Sequence, residues 1–297
     1  MKLNNVTIYD TFAEAWDLQV MRVVLTAVTS ELALGGAEQF AGAAGSSMIG
    51  SRINAGIERV ALPHETPDGR PGVFISLAMV PTARAEMLKE LELRVALASL
   101  IPTLAVFDAA VPGVPVDAAN IHEMYRMSEE RWKGYDTERT LGRRALCVVP
   151  ATTGEFVYEK QYQLSTSGTD GHFVCFAENA LAAVAAVAAA KKAIEAVDGV
   201  APMGFGLEQV FREYDYIPAL RGKIADSKVA DGVHSILNLL MFGASPELMR
   251  RAMSLSLCAA AQLPGVLYLG AMNFGGQFGR HKYDLHELLG NTNANRK

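Results

Sequence analysis

The tripeptide Phe-Ala-Glu occurs at Phe12–Glu14 and again at Phe176–Glu178, 164 positions later in a chain of 297 residues. Each copy opens a stretch with helical spacing. In the first, Trp16, Val20, Val23, Val24 and Ala27 fall on one face; in the second, an Ala/Val run leads to Ile194 and Val197. A second pair agrees with the first. Ile101-Pro102-Thr103 and Leu263-Pro264-Gly265 stand 162 positions apart, and each follows a helical pattern. An internal repeat constrains the fold strongly, because both copies must build the same supersecondary unit.

Apolar runs between these marks read as strands. The first copy predicts a strand at Val6–Tyr9, a helix from Phe12, a strand within Ser46–Val60, a strand at Val73–Val80, a helix over Ala83–Leu100 and a strand at Leu104–Phe107. The second predicts a strand at Phe173–Phe176, a helix from Glu178, a strand after Val200, a strand at Ile236–Phe242, a helix over Pro246–Gln262 and a strand at Val266–Leu269. Both orders are βαββαβ, the ferredoxin-like unit. The predicted fold is therefore α/β (α+β), with two related ferredoxin-like βαββαβ lobes from an internal duplication. The join is expected near Arg144–Thr153, giving an N-terminal lobe at 1–146 and a C-terminal lobe at 147–297. Glu155–Gln163 is a further strand candidate, and the polar segment Pro112–Thr140 reads as an insertion with helical parts.

Composition excludes several classes of function. Half the residues are hydrophobic and 20 % are charged, enough for a sizeable core and unlike a disordered chain. A net charge of −5 with no dense Lys/Arg run argues against nucleic acid. The apolar stretch Ala180–Ala190 is too short to span a bilayer, and the N-terminus lacks the apolar run of a signal peptide, so a cytoplasmic, membrane-free protein is expected. Cys147, Cys175 and Cys258 are odd in number and far apart, which suggests buried thiols rather than disulfides or a metal site. None of the six histidines has the helical i, i+4 spacing of a zinc pair. Gly275-Gly276-x-x-Gly279 lacks the spacing of a dinucleotide or P-loop fingerprint, and no Gly-x-Ser-x-Gly elbow occurs. What is left is a small-molecule site at a lobe or subunit interface, worked by carboxylates, hydroxyls, amides and arginines.

Several strings carry the reading further. Asp10-Thr11-Phe12-Ala13-Glu14-Ala15 is followed by Arg22–Ala27, then Ala55-Gly56-Ile57-Glu58-Arg59 and Thr66-Pro67-Asp68-Gly69-Arg70-Pro71-Gly72. Pro102-Thr103 precedes Ala105–Ala109, Gly154-Glu155-Phe156 opens the second half, and the chain closes with Asn273-Phe274-Gly275-Gly276-Gln277-Phe278-Gly279 and Leu285–Leu289. In order and spacing, over about the whole chain, these strings resemble the formylmethanofuran–tetrahydromethanopterin formyltransferase family. The resemblance implies transfer of a formyl group between N5 of tetrahydromethanopterin and the amine of methanofuran. Both molecules act as substrates, with no tightly bound cofactor and no metal. It also implies a proximal lobe at 1–146, a distal lobe at 147–297, and a homo-oligomer (a tetramer or dimer of dimers) with its site at a subunit contact. The modest charge and Ala-rich helices look more like the relatives of methylotrophic bacteria, where the enzyme is one subunit of a formyltransferase/hydrolase complex that releases formate. Hydrolase subunits are then the partners. Methanogen members often carry cysteines around the segment that reads Gly45–Gly50 here, and they align a glutamate with Asn238. An asparagine cannot serve as a base, which leaves a non-catalytic methanofuran-binding scaffold as the alternative.

The implied reaction needs a base for the amine, donors for an oxyanion and an acid for the leaving nitrogen. Glu58, Glu14 and Glu155 are the catalytic candidates, although Thr11-x-x-Glu14 also reads as a capping box and Glu58 also as a surface ion pair. Arg70, set in a proline-stiffened loop, is the candidate grip on methanofuran carboxylates. Ser46, Ser47 and Asn273 are candidate hydrogen-bond donors, and Gly275 and Gly276 would admit a ligand close to the backbone.

Overall fold

A computed structural model describes residues 1–42, 50–121, 134–204 and 214–294. The chain divides into two compact units, one formed by Leu18–Gly168 and the other by Met1–Asp17 together with Thr169–Lys297. The repeat pattern placed a single join at 146/147 with contiguous lobes. The N-terminal segment instead joins the later unit, because β2 (Val6–Ile8), preceded by its hairpin partner β1 (Lys2–Leu3), and β3 (Phe12–Ala15) find their strand partners there.

In the Leu18–Gly168 unit the order is β4 (Asp17–Thr26), α1 (Ser30–Ala41), β5 (Asn54–Ala61), β6 (Gly72–Met79), α2 (Arg84–Ala98) and β7 (Ala105–Asp108). The strands lie in the order β5-β6-β4-β7, each antiparallel to its neighbour. This is the expected split arrangement of a ferredoxin-like unit. Then follow β8 (Val116–Asn120), β9 (Thr137–Leu141), β10 (Arg144–Ala151) and β11 (Gly154–Glu159), with β11 parallel to β7. The start of β12 (Gln161–Ala177) pairs with β8. Of the segment Pro112–Thr140, read from sequence as an insertion with helical parts, residues 122–133 lie outside the described residues, and Val116–Asn120 and Thr137–Leu141 are strands.

The other unit repeats the order with the rest of β12, α3 (Ala180–Ile194), β13 (Val200–Pro202), β14 (Ser235–Gly243), α4 (Pro246–Ala260) and β15 (Val266–Gly270). Its strands run β13-β14-β12-β15, again antiparallel throughout. The parallel strand β2 extends this sheet at β15, and β16 (His281–Asp284) pairs with β3 before α5 (Leu285–Ala294).

The duplication is therefore present, but its first marker was misplaced. No helix starts at Phe12: Phe12–Ala15 and Asp17–Thr26 are strands, and the helix begins at Ser30. Val20, Val23 and Val24 satisfy helical spacing by accident. Nearly every residue of β4 is buried, so its two faces are both apolar and period alone cannot separate strand from helix. The β-branched content favours strand. The first helices of the two units begin alike, with a side-chain cap, whereas of the second helices only Pro246–Ala260 has one and Arg84–Ala98 starts after Ala83 without it. Thr29, Asn179 and Ser245 each accept a hydrogen bond from the backbone N–H three residues on, at 3.2, 2.9 and 3.3 Å. The second marker is a true structural match. Thr103 and Gly265 hold the same turn before β7 and β15, at φ +62° and +78°. Glycine adopts this left-handed turn freely and threonine does so under strain.

Candidate functional site

In β14 the side chains alternate. Leu237, Leu239 and Met241 face the helices and join the core with Phe173, Ala186, Met253 and Leu257. Ile236 and Asn238 face the opposite side of the sheet, beside Val174 and Phe176 of β12. That side forms the floor of a cavity of about 780 Å³, walled by the segments 9–11, 216–219 and 270–273 with Lys228 and His234. Pockets of 300–1,000 Å³ that mix apolar walls with a few polar groups are typical small-molecule sites.

The walls are fixed in specific ways. Tyr9 stacks on Tyr268 at 5.2 Å and meets the edge of Phe176 at 5.6 Å. Burial, together with Tyr268 and Tyr216, raises the Tyr9 phenol, so it is a neutral hydroxyl at physiological pH. Gly270 makes room for that ring, since a Cβ there would lie 2.9 Å from it. Behind the 270–273 wall, Met272 N–H donates to the buried His172 Nε2 at 2.9 Å, and desolvation pushes this imidazole down to about 4. Asn273 donates from Nδ2 to Thr11 Oγ1 at 3.1 Å and to the Phe12 carbonyl at 3.2 Å.

On the floor, Asn238 is only 6 % exposed, yet neither its Oδ1 nor its Nδ2 has a hydrogen-bond partner. Leaving a buried polar group unmatched costs roughly 1–3 kcal/mol. Among the described residues no cluster of His, Cys, Asp and Glu is arranged to hold a metal ion.

Of the residues singled out from sequence, Asn273 lines this cavity, and Asn238, noted there as a departure from relatives, lies at its floor. The others described are engaged differently. Glu14 sits in strand β3, so Thr11-x-x-Glu14 caps no helix. Its carboxylate accepts from the N–H groups of Phe274, Gly276, Phe278 and Gly279 at 2.6, 2.9, 2.6 and 2.6 Å. Burial acts to raise its pKa, but the four donors together outweigh that and hold it at about 2. A carboxylate so stabilised is a clamp for the 273–279 loop and a poor base. Gly275 and Gly276, at φ +73° and +71°, supply the left-handed turn that lets successive N–H groups converge on it.

Glu58 is the extra residue of a bulge in β5, between the pairs Ile57–Ile75 and Arg59–Phe74. The bulge turns it inward, where Arg22 Nε donates at 2.8 Å and Ser76 Oγ at 2.5 Å. The Arg22 guanidinium lies 3.9 Å over the Phe74 ring. Arg70 donates to Asp68 at 2.7 Å, to the Thr103 carbonyl at 2.7 Å and to Thr26 Oγ1 at 3.0 Å, tying its loop to the strained turn at Thr103. Glu155 is exposed on the β10–β11 hairpin and pairs with Arg139 at 2.9 Å. Ser46 and Ser47 lie outside the described residues. Sequence reasoning missed Tyr9, Lys228 and His234 as pocket groups. Only the apolar-to-polar change at Tyr9-Asp10-Thr11 marks a strand running out into a site.

Two ferredoxin-like units, one carrying a small-molecule cavity on the sheet face opposite its helices, define a duplicated α/β ligand-handling protein. Comparison with known proteins narrows this. Residues 1–151 match the family described as formylmethanofuran-tetrahydromethanopterin formyltransferase, and residues 212–288 match its proximal lobe. The chain belongs to the formylmethanofuran–tetrahydromethanopterin formyltransferase family. The proximal label thus falls in the C-terminal portion, where the sequence reading had placed the distal lobe. The chain is similar to the formylmethanofuran–tetrahydromethanopterin formyltransferases of Methanothermus fervidus and Methanopyrus kandleri, each 32 % identical over 97 % of this chain and 100 % of the relative. Its structure resembles that of the Methanosarcina barkeri enzyme (TM-score 0.87, 29 % identity, 97 % of this chain and 100 % of the other). It also resembles a chain in the Methylorubrum extorquens formyltransferase/hydrolase complex bound to methylofuran (TM-score 0.80, 28 % identity, 97 % and 98 %).

Proposed function

We propose that this chain transfers a formyl group between N5 of a tetrahydromethanopterin and the amine of a methanofuran. The observation that carries the reading is a family likeness spanning 97 % of this chain and 100 % of the relatives. In the direction of methanofuran formylation, the amine nitrogen attacks the formyl carbon and the carbonyl electron pair moves to oxygen. The C–N bond to the pterin then breaks as the carbonyl re-forms. The net proton movement is from the attacking amine to the leaving nitrogen. Asp10, His234 and Lys228 on the cavity wall are side chains of a kind that can carry that proton, and holding two large substrates in register supplies much of the rate.

The likeness to a chain of a formyltransferase/hydrolase complex supports a place beside hydrolase subunits. A homo-oligomer, exchangeable pterin and furan substrates, and a cytoplasmic setting complete the reading. No described helix is long and apolar enough to cross a membrane. The test is a spectrophotometric assay of the purified full-length chain with formyl-tetrahydromethanopterin and methanofuran, run in both directions. Turnover without added metal supports the transferase. A folded chain that binds methanofuran and turns nothing over defeats it in favour of the scaffold.

A further inference from the structure

From its bonds to two walls of the cavity, we infer that Arg221 is a positioning residue for formyl transfer, the side chain that places Lys228 and His234. This rests on the transferase reading and adds to it the residue that sets two of its wall groups. In sequence Arg221 lies between the wall segment 216–219 and the wall residues Lys228 and His234. Its backbone closes the first: the Arg221 N–H donates to the Pro218 carbonyl at 3.1 Å, at the end of the short turn Pro218–Leu220. Its guanidinium holds the loop that joins the other two. The N–H groups of Nη2 are shared among the carbonyls of Val229 and Val233, each at 3.1 Å, and that of Ala230. This loop turns at Gly232, φ +78°, and belongs to no helix or strand. Charge-assisted bonds from one cation to three carbonyls do for it what a ladder does for a strand. Lys228 also reaches back to the first wall, with Nζ 2.7 Å from Asp215 Oδ2 and 5.4 Å over the Tyr216 ring. The placement of both wall groups thus depends on how 215–221 and 228–234 lie against each other, and Arg221 is bonded into both. Among the described residues no carboxylate pairs with Arg221, and its buried Nε has no hydrogen-bond partner. The loop carbonyls are what its charge serves.

The test is a mutant cycle in the full-length chain, assayed for formyl transfer below the melting temperature of every variant. Misplacing a reacting group by about 1 Å costs about 10²-fold, so Arg221→Ala is expected to lower kcat by about that factor. In a background carrying Lys228→Met and His234→Gln, the same replacement is expected to change kcat little, because the groups that Arg221 places are already gone. A merely structural role lowers kcat by the same factor in both backgrounds. Arg221→Lys keeps the charge and loses the planar fork, so it restores part of the rate, and it carries the same cycle if the alanine variant does not fold. Amide exchange gives a readout that needs no turnover. The Val233 N–H, bonded to the Ala230 carbonyl at 3.2 Å inside the loop, is expected to exchange faster once Arg221 is replaced. Equal losses in the two backgrounds, an Arg221→Ala enzyme with wild-type kcat, or unchanged exchange at Val233 overturns the inference while leaving an active transferase. A wild-type chain that transfers no formyl group overturns the functional reading itself.

Discussion

Replacing Glu58 by alanine sets a buried ion pair against a catalytic base. Glu58 is 5 % exposed and Arg22 6 % exposed, and Ser76, which donates to the other carboxylate oxygen, is fully buried. The substitution removes the carboxylate from both donors at once. Breaking one side of a buried pair costs about 3–5 kcal/mol, a large part of the roughly 5–15 kcal/mol that holds a domain folded. At about 2–4 °C per kcal/mol for a unit of this size, the melting temperature falls by roughly 6–20 °C. Differential scanning calorimetry of Glu58→Ala measures this directly. The double variant Arg22→Met with Glu58→Leu recovers most of the loss, because well-packed apolar groups replace a buried pair at little net cost. The reasoning fails if Glu58→Ala melts within about 2 °C of the wild type while formyl transfer drops by orders of magnitude. Glu58 would then be the base that its sequence context suggested.

Three further outcomes are expected. Glu14→Ala lowers the melting temperature and speeds amide hydrogen exchange at Phe274, Gly276, Phe278 and Gly279, the four donors to its carboxylate; unchanged exchange there would show that the loop holds itself. Arg70→Met, which removes the donors to Asp68, Thr26 and the Thr103 carbonyl, costs about 2 kcal/mol in urea unfolding, whereas a side chain kept for ligand would change KM and leave stability alone. For Asp170, burial raises the carboxyl to about 7 from an ordinary 3.8, against the Trp16 N–H that favours its charge at 2.6 Å. The folded state therefore keeps a proton that the unfolded chain has released, and this contribution to stability is lost as pH rises from 3.8 to 7. Asp170→Asn removes that loss. Asp108 and Glu159, whose carboxyls burial also raises, keep a slope of the same sign, and His172 opposes it, its stability present above 6.5 and lost as pH falls toward 4. Unfolding free energies between pH 4 and 7 test this, and a variant as pH-dependent as the wild type in the same direction counts against the assignment.

The ferredoxin-like unit, its repetition and most of the element order were readable from the sequence by itself, but the opening of the first unit was not. Val73–Val80, Ala83–Leu100, Ile236–Phe242 and Pro246–Gln262 lie within a residue or two of the observed strands and helices. Those patterns are local: period two or 3.6, a cap at one end and a turn at the other. Period failed at Asp17–Thr26, where burial on both faces erased it. The work done by each polar residue was decided by tertiary structure alone. Glu14 finds its donors 260 to 265 residues away, Arg22 meets Glu58 across 36, and Arg70 reaches back 44 residues to Thr26. A carboxylate reads the same in sequence whether it clamps a loop, pairs with a buried guanidinium or waits for substrate. What separates these roles is which donors the folded chain brings within 3 Å. At Asn238 that test turned the other way: the fold buries a carboxamide, supplies it with no partner and opens a cavity in front of it.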